Sequence, residues 1–144
     1  MYDRLLVPTD GSDGSDAAVR RAVVVAARVG ASVDALAVVD RTFPAATAYD
    51  HVVERLEATA EAALEAVVDA GDRAGVAVDP HLRRGVPHEE IVAAADAYGS
   101  DLIVMGTHGR TGFGRVRHLG SVTERVVRTS PVPVLSVPLI EESD

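Results

Sequence analysis

The chain has 144 residues, of which 47% are hydrophobic and only 3% aromatic, which predicts one domain with an aliphatic core over residues 1–144. It has no cysteine, which excludes disulfides, thiolate zinc sites and cysteine nucleophiles. Its formal net charge of -8 disfavours nucleic acid and anionic membranes as partners.

The surface chemistry is unusual because all 14 basic residues are arginine and none is lysine. Such an acidic, lysine-free surface has two explanations, a high-salt cytoplasm or a GC-rich genome, and we favour the halophile. The first apolar run is too short for a signal peptide, and no run approaches the roughly 18 residues that span a bilayer. We therefore expect a cytoplasmic protein.

The first predicted elements are a short buried strand at Leu5–Val7 and a polar loop at Pro8–Ser12. Ser12 or Ser15 can cap the helix that follows, and Gly30 is a natural end for it. An apolar strand over Ser32–Val39 comes next.

A long amphipathic helix is predicted over Tyr49–Ala74, with Val52 and Leu56 opening its apolar face. We interpret its row of glutamates as a solvated face. A weaker strand follows at Val76–Leu82, where Pro80 indicates an edge position. Pro87 suits the first turn of a third helix.

The last predicted elements are a strand buried on both faces at Leu102–Met105, a helix over Ser121–Thr129 and a strand over Val132–Leu139. Alternation of strands and helices along the whole chain predicts an α/β fold. Its sheet should be parallel and doubly wound, with five strands and four helices.

The glycine-rich loop Gly106–Gly114 leaves the fourth strand, and Gly120-Ser121 opens the next helix. Glycine lets the backbone approach an anion, and a helix N-terminus supplies N–H groups and about half a positive charge. Because ligands of parallel sheets bind beyond the carboxyl ends of the strands, this loop and Pro8–Ser12 predict one shared nucleotide site.

Several of these residues have a structural interpretation beside the functional one. Ser121-Val122-Thr123-Glu124 matches a capping box, which is compatible with a phosphate on the same N–H groups, and both remain open. Asp10 either binds ribose hydroxyls or forms an Asx turn, and we favour the ligand role. Arg110 pairs with phosphate or is solvated.

No catalytic residue is predicted. His108 has no oriented nucleophile beside it, and the remaining histidines are expected at the surface: His51, His81, His88 and His118. Walker A, GxGxxG and GxSxG motifs are missing from the positions where they would act. We expect at most a very slow ATPase.

Taken together, the motifs resemble the ATP-binding branch of the universal stress protein family over essentially the whole chain. The resemblance is carried by Leu5–Ser12, Gly85-Val86-Pro87, Met105–Arg110, Gly120–Glu124 and Pro131–Leu135. It implies strand order 3-2-1-4-5 and a homodimer through the last strand, Val132 to Ile140. It also implies a nucleotide sensor or switch with little turnover that binds ATP, or AMP or ADP, with Mg²⁺ or Mn²⁺.

In this resemblance Asp10 and Gly106 face the ribose, Val39 lies near adenine, and Gly109, Gly120, Ser121 and Val122 face the phosphates. The full implied set is Pro8, Thr9, Asp10, Val39, Met105, Gly106, Gly109, Arg110, Gly120, Ser121, Val122 and Thr123. No metal ligand is assigned.

The sequence departs from the family's ATP motif at one point that affects phosphate binding. Ten residues separate Gly109 from Gly120, one more than in the family's ATP motif. A loop absorbs one residue at little cost, but the phosphate-facing N–H groups are then displaced. The alternative function is therefore a nucleotide-free dimeric interaction protein on the same fold.

Overall fold

A computed structural model describes residues 2–40, 49–107 and 120–139 of the chain, with backbone only at residues 49 and 50. The strands and helices in these ranges are β1 Arg4–Pro8, α1 Asp13–Val29, β2 Ser32–Asp40, α2 Tyr49–Ala74, β3 Val78–Gly85, α3 Pro87–Tyr98, β4 Leu102–Gly106, α4 Ser121–Thr129 and β5 Val134–Val137.

The five strands form one parallel sheet in the order β3-β2-β1-β4-β5, as predicted. β3 lies at one edge, which confirms the position that Pro80 indicated. β1 and β4 are neighbours at the centre, although the chain visits β2 and β3 between them. The strand order reverses at this pair, and parallel sheets bind ligands at such a point.

Two hydrophobic clusters fill the space between the sheet and its helices. Residues of α1 and α2 pack on one face against the odd-numbered side chains of β2, including Val33, Ala35 and Val39. Residues of α3 and α4 pack on the other face, around Leu36 and Ile103. The single α/β domain is therefore doubly wound, as expected, with helices on both faces of the sheet.

The ends of α1 follow their predicted signals. Ser12 is the N-cap, and its hydroxyl accepts a hydrogen bond from the Ser15 N–H at 3.3 Å. Gly30 ends the helix with a φ of 74°, in the left-handed region that glycine adopts without a steric penalty.

The bounds of the last strand and the apolar face of α2 differ from the prediction. The last strand is shorter than Val132–Leu139, because the Val132 N–H donates to the Ser130 hydroxyl in a turn, and Pro133 and Pro138 carry no N–H for the ladder. Val52 and Leu56 are exposed, not buried. The 26-residue α2 is about 39 Å long, more than the ~30 Å of the nine-residue β2 beneath it.

A charged cluster lies at the amino end of the sheet, away from the predicted site. The Asp34 carboxylate is fully buried and accepts hydrogen bonds from the Arg4 guanidinium, with Nη2 2.8 Å from both oxygens. His81 Nε2 lies 2.9 Å from Asp34 Oδ1, and its ring stacks on Tyr98 with centroids 4.1 Å apart. His81, which was expected at the surface, is half-buried with 27% of its side chain exposed, and it contacts a buried carboxylate that Arg4 also binds.

None of the helices in the described part of the chain is long and apolar enough to cross a bilayer.

Candidate functional site: the carboxyl ends of β1 and β4

The β1–α1 loop is held by its own side chains. Asp10 Oδ1 accepts the Ser12 N–H at 2.9 Å, so the Asx turn that was one of two interpretations of Asp10 is present. Thr9 is buried, its N–H donates to the Leu36 carbonyl at 2.8 Å, and its hydroxyl accepts from the Gly11 N–H at 3.3 Å. The turn therefore fixes the Asp10 carboxylate at the end of β1, where a ligand can meet it.

The end of β4 lies directly against the first turn of α1. A Cβ on Gly106 would overlap the Gly14 carbonyl and lie 2.7 Å from its carbon and 3.3 Å from the Ser15 nitrogen. Only glycine permits this approach without moving one backbone or the other. Gly106 thus brings the two predicted loops together through the N-terminus of α1.

Two hydrogen bonds hold the start of α4 on the end of β4. The Thr123 hydroxyl donates to the Gly106 carbonyl at 2.7 Å, and the Gly120 N–H donates to the Thr107 carbonyl at 2.6 Å. Thr123 is only 4% exposed, so its side chain positions the helix. The Gly120 N–H is already bonded in this arrangement, whereas the resemblance implied that Gly120 faces the phosphates.

The capping box that was one interpretation of Ser121 is not formed among the described residues. Gly120 is the N-cap, α4 begins at Ser121, and no side chain among the described residues caps it. The Glu124 carboxylate instead accepts from Arg128, one turn later, at 3.3 Å. The extended backbone of Gly120, with φ -61° and ψ 157°, places Ser121 one residue too late to act as the cap.

The amide groups at the start of α4 are therefore not occupied by a cap. The Glu124 N–H bonds to the Gly120 carbonyl at 2.9 Å, which leaves the N–H groups of Ser121, Val122 and Thr123 without an acceptor within the helix. Three such amides and the helix dipole favour an anion at this end.

The two helix N-termini at this edge differ in charge. α1 begins with Asp13 and Asp16 close to Asp10, and burial, together with the charges of Asp13 and Asp10, raises the pKa of Asp16 above its ordinary value, with Arg20 opposing the shift. α4 has one acidic residue in its first turn, Glu124, which occupies the position that Asp16 has in α1 and accepts a hydrogen bond from Arg128. The start of α1 therefore repels a phosphate more strongly than the start of α4 does, whereas ribose hydroxyls can donate to the carboxylates near α1.

The remaining predicted residues divide into three groups. Pro8 is the last residue of β1 and Met105 the last but one of β4, beside Thr9 and Gly106 respectively. Val39 lies near the end of β2 with its side chain 2% exposed in the core. Gly109, Arg110 and the region of the additional residue lie outside the described residues.

Metal ligands do not cluster here. Within residues 2–40, 49–107 and 120–139, no group of three or more His, Cys, Asp or Glu side chains could hold an ion. The described residues therefore fit Mg²⁺ or Mn²⁺ only as an ion that a nucleotide's phosphates largely hold. In sites of that kind Mg²⁺ needs only one or two protein carboxylates.

The fold and this edge define a parallel α/β domain whose first and fourth strands meet at a topological switch point. The model of the universal stress protein family matches residues 1–138, and the chain belongs to that family.

Individual proteins support the assignment. The chain is 39% identical to the universal stress protein MJ0531 of Methanocaldococcus jannaschii over 141 residues, 95% of this chain and 82% of that one. The solved structure of the hypothetical protein MJ0577 is 31% identical, covers 99% of both chains and has a TM-score of 0.83. A universal stress protein solved in complex with cAMP is 30% identical over 94% of this chain and 97% of its own, with a TM-score of 0.73.

Sequence reasoning missed the contribution of Gly14 and Ser15. Ser15 was considered only as a helix cap, yet its buried hydroxyl contacts Thr9, Asp10 and Ser12. A serine three residues after an N-cap serine indicates such contacts with the preceding loop, because that helical position faces back towards the loop.

Proposed function

We propose that this universal stress protein binds an adenine nucleotide across the carboxyl ends of β1 and β4 and acts as a sensor or switch with little turnover. The observation that carries the proposal is the start of α4: three amides without intrahelical acceptors, fixed to β4 beside the Asp10 loop, with Glu124 as the one acidic residue of the first turn.

In this proposal the phosphates accept hydrogen bonds from the N–H groups of Ser121, Val122 and Thr123. The ribose hydroxyls donate to the Asp10 carboxylate, on the side where acidic groups repel phosphate more strongly. The base lies at the end of β2, where it meets backbone because the Val39 side chain is buried. The cAMP complex of a relative with the same fold is consistent with an adenine nucleotide at this edge.

ATP is the proposed ligand, with AMP or ADP as alternatives and Mg²⁺ or Mn²⁺ accompanying a triphosphate. Gly109 and Arg110 belong to the same proposal, as donors from the glycine-rich loop. Little turnover is part of the same proposal.

A proline at the first position of α4 tests the phosphate contact. Ser121→Pro removes one amide hydrogen but keeps the helix, because proline is favoured at that position and the extended Gly120 tolerates a following proline. We expect Ser121→Pro to weaken ATP binding about tenfold in isothermal titration, the loss of one charge-assisted hydrogen bond, and to leave adenosine binding unchanged.

The matched control is Ser121→Ala, which keeps the amide and removes only the exposed hydroxyl. It should bind ATP like the unmodified chain. Equal losses in both variants would assign the effect to the hydroxyl. Failure of the unmodified chain to bind ATP, AMP or adenosine at millimolar concentration would contradict the proposal.

The second candidate function is a nucleotide-free dimeric interaction protein. It is favoured by the additional residue between Gly109 and Gly120, and by the Gly120 N–H that is already bonded to Thr107. It predicts that Gly109→Val changes nothing in the protein's behaviour, whereas the nucleotide proposal predicts a loss of ATP binding.

Both candidates include a homodimer through the last strand, Val132 to Ile140. β5 is an edge strand with β4 as its only neighbour in the described sheet, so its outer backbone groups are available for a second copy. Sedimentation would test this: a monomer at micromolar concentration contradicts it.

A cytoplasmic location and a halophilic source also belong to the proposal. The exposed acidic residues of α2, among them Glu54, Glu61 and Glu65, are the surface expected in high salt. Melting curves in rising KCl test this point, and equal stability from low to molar salt would contradict it.

A further inference from the structure

Ser15 lies in the first turn of α1 with only 7% of its surface exposed, and its hydroxyl is fully used. It donates to the Ser12 carbonyl at 3.1 Å and accepts from the Asp10 N–H at 3.3 Å. Thr9 Oγ1 lies 3.2 Å away and can supply the second donor. One O–H and two lone pairs are the whole capacity of a serine hydroxyl, so all three are directed at the β1–α1 loop.

The same turn also contacts the other half of the site. Gly106 approaches Gly14 and the Ser15 nitrogen so closely that a Cβ would not fit, and the Gly106 carbonyl accepts from Thr123. The Asp10 loop is therefore connected through the first turn of α1 to β4, and through β4 to α4. The Ser15 hydroxyl is the link between this turn and the loop.

We propose that Ser15 is a positioning residue for ribose recognition: its hydroxyl holds the backbone of Thr9 and Asp10 so that the Asp10 carboxylate meets the ribose hydroxyls. The inference rests on the proposed nucleotide function. It adds a residue that touches no ligand and acts through Asp10. Without the hydroxyl, the loop loses a donor and two acceptor sites, while the N-cap bond from the Ser15 N–H to Ser12 remains.

A second buried serine gives the experiment a matched control. Ser100 is 6% exposed, nearly the same as Ser15, but its hydroxyl has no hydrogen-bond partner. It lies between α3 and β4, at the amino end of the sheet. Ser15→Ala and Ser100→Ala therefore remove the same atom from equally buried positions, and only Ser15→Ala removes hydrogen bonds near Asp10.

The test compares adenosine with 2′,3′-dideoxyadenosine, which lacks the 2′ and 3′ hydroxyls of the ribose and keeps the 5′ hydroxyl, by isothermal titration well below the melting temperature. Ser15→Ala should weaken adenosine binding about tenfold and leave dideoxyadenosine binding unchanged. Ser100→Ala should bind both ligands like the unmodified chain. A general structural defect would instead weaken both ligands in parallel.

Two outcomes overturn the inference: undiminished adenosine binding by Ser15→Ala, or equal losses for the two ligands. If the unmodified chain binds no adenosine, hydrogen exchange decides the role of Ser15 separately, and the proposed function itself fails only if ATP and AMP do not bind either. The Gly11 and Ser12 amides should then exchange at least tenfold faster in Ser15→Ala than in Ser100→Ala. Unchanged exchange would overturn the positioning role.

Discussion

The two ends of the sheet differ in how their polar groups are paired. At the amino end, the buried Asp34 carboxylate is bonded by Arg4 and His81. At the carboxyl end, ion pairs lie beside β3, at Arg83–Glu90 and Arg84–Glu57, but the start of α4 has N–H groups that the helix itself cannot satisfy.

This difference separates stability from binding within one small domain. The pairs that Asp34 makes with Arg4 and His81 join β1, β2 and β3 at the amino end. Because a buried carboxylate must be paired, removing a partner should lower the free energy of unfolding. Unsatisfied amides at a helix N-terminus are tolerated where water or a ligand can reach them. Substitutions at the amino end should therefore lower stability alone, and those at the carboxyl end should also affect the ligand.

The largest expected effect on stability is at Arg4. Arg4→Met leaves the buried Asp34 carboxylate with His81 alone, and we expect the free energy of unfolding in urea to fall by about 2–3 kcal/mol. ATP affinity at low temperature should not change. Arg55→Met, at an exposed position on α2, is the control and should remain within about 0.5 kcal/mol of the unmodified chain. Equal stabilities of the two variants would remove the distinction between the ends.

Thr123 should show an intermediate effect that involves both properties. Thr123→Val deletes the buried bond to the Gly106 carbonyl, which we expect to cost about 1–2 kcal/mol of stability. Because that bond holds α4 in place, ATP affinity should fall as well, and Thr123→Ser should restore both. A valine variant with normal ATP affinity would show that the start of α4 does not need this bond.

Asp101 should have the smallest effect, and it should depend on pH. Its carboxylate accepts the N–H groups of Asp3 and Arg4 at 2.8 and 3.0 Å, and these bonds lower the pKa of Asp101 below its ordinary 3.8. The stabilisation is complete above pH 3.8 and is lost as the pH falls through the folded-state pKa.

Urea unfolding of Asp101→Ala should therefore show a modest deficit that is constant between neutral pH and pH 5. The deficit should begin to shrink only below about pH 4, where the unfolded carboxyl becomes protonated, and it should be lost as the pH falls through the lower pKa of the folded state. A deficit that disappears already between pH 7 and pH 5 would contradict the assignment to Asp101.

The sequence predicted most of the fold, because its signals are local. Ser12, Gly30 and the proline at position 87 mark helix ends by their own backbone chemistry. The exposure of Val52 and Leu56 could not be predicted from periodicity, since it depends on how far the sheet extends beneath the helix. The predicted start of β5 was also wrong, because the hydrogen bond from the Val132 N–H to the Ser130 hydroxyl competes with the hydrogen bonds of the sheet.

The candidate site was predicted in part. The order of strands and loops placed Asp10, Gly106 and Ser121 at one edge. The capping box is not formed at Ser121 among the described residues, and the sequence pattern does not show which of two neighbouring residues has the extended backbone. The pairing of Asp34 with His81 joins residues 47 apart in the chain, although a carboxylate within an apolar strand already indicates a buried partner.

The central claim is that the two loops form one site at the carboxyl end, and hydrogen exchange with and without saturating ATP tests it most directly. We predict slower exchange in residues 10–12 and 121–123 together, and no change around Asp34 and His81. Slower exchange in only one of the two loops, at the amino end, or nowhere would contradict the claim.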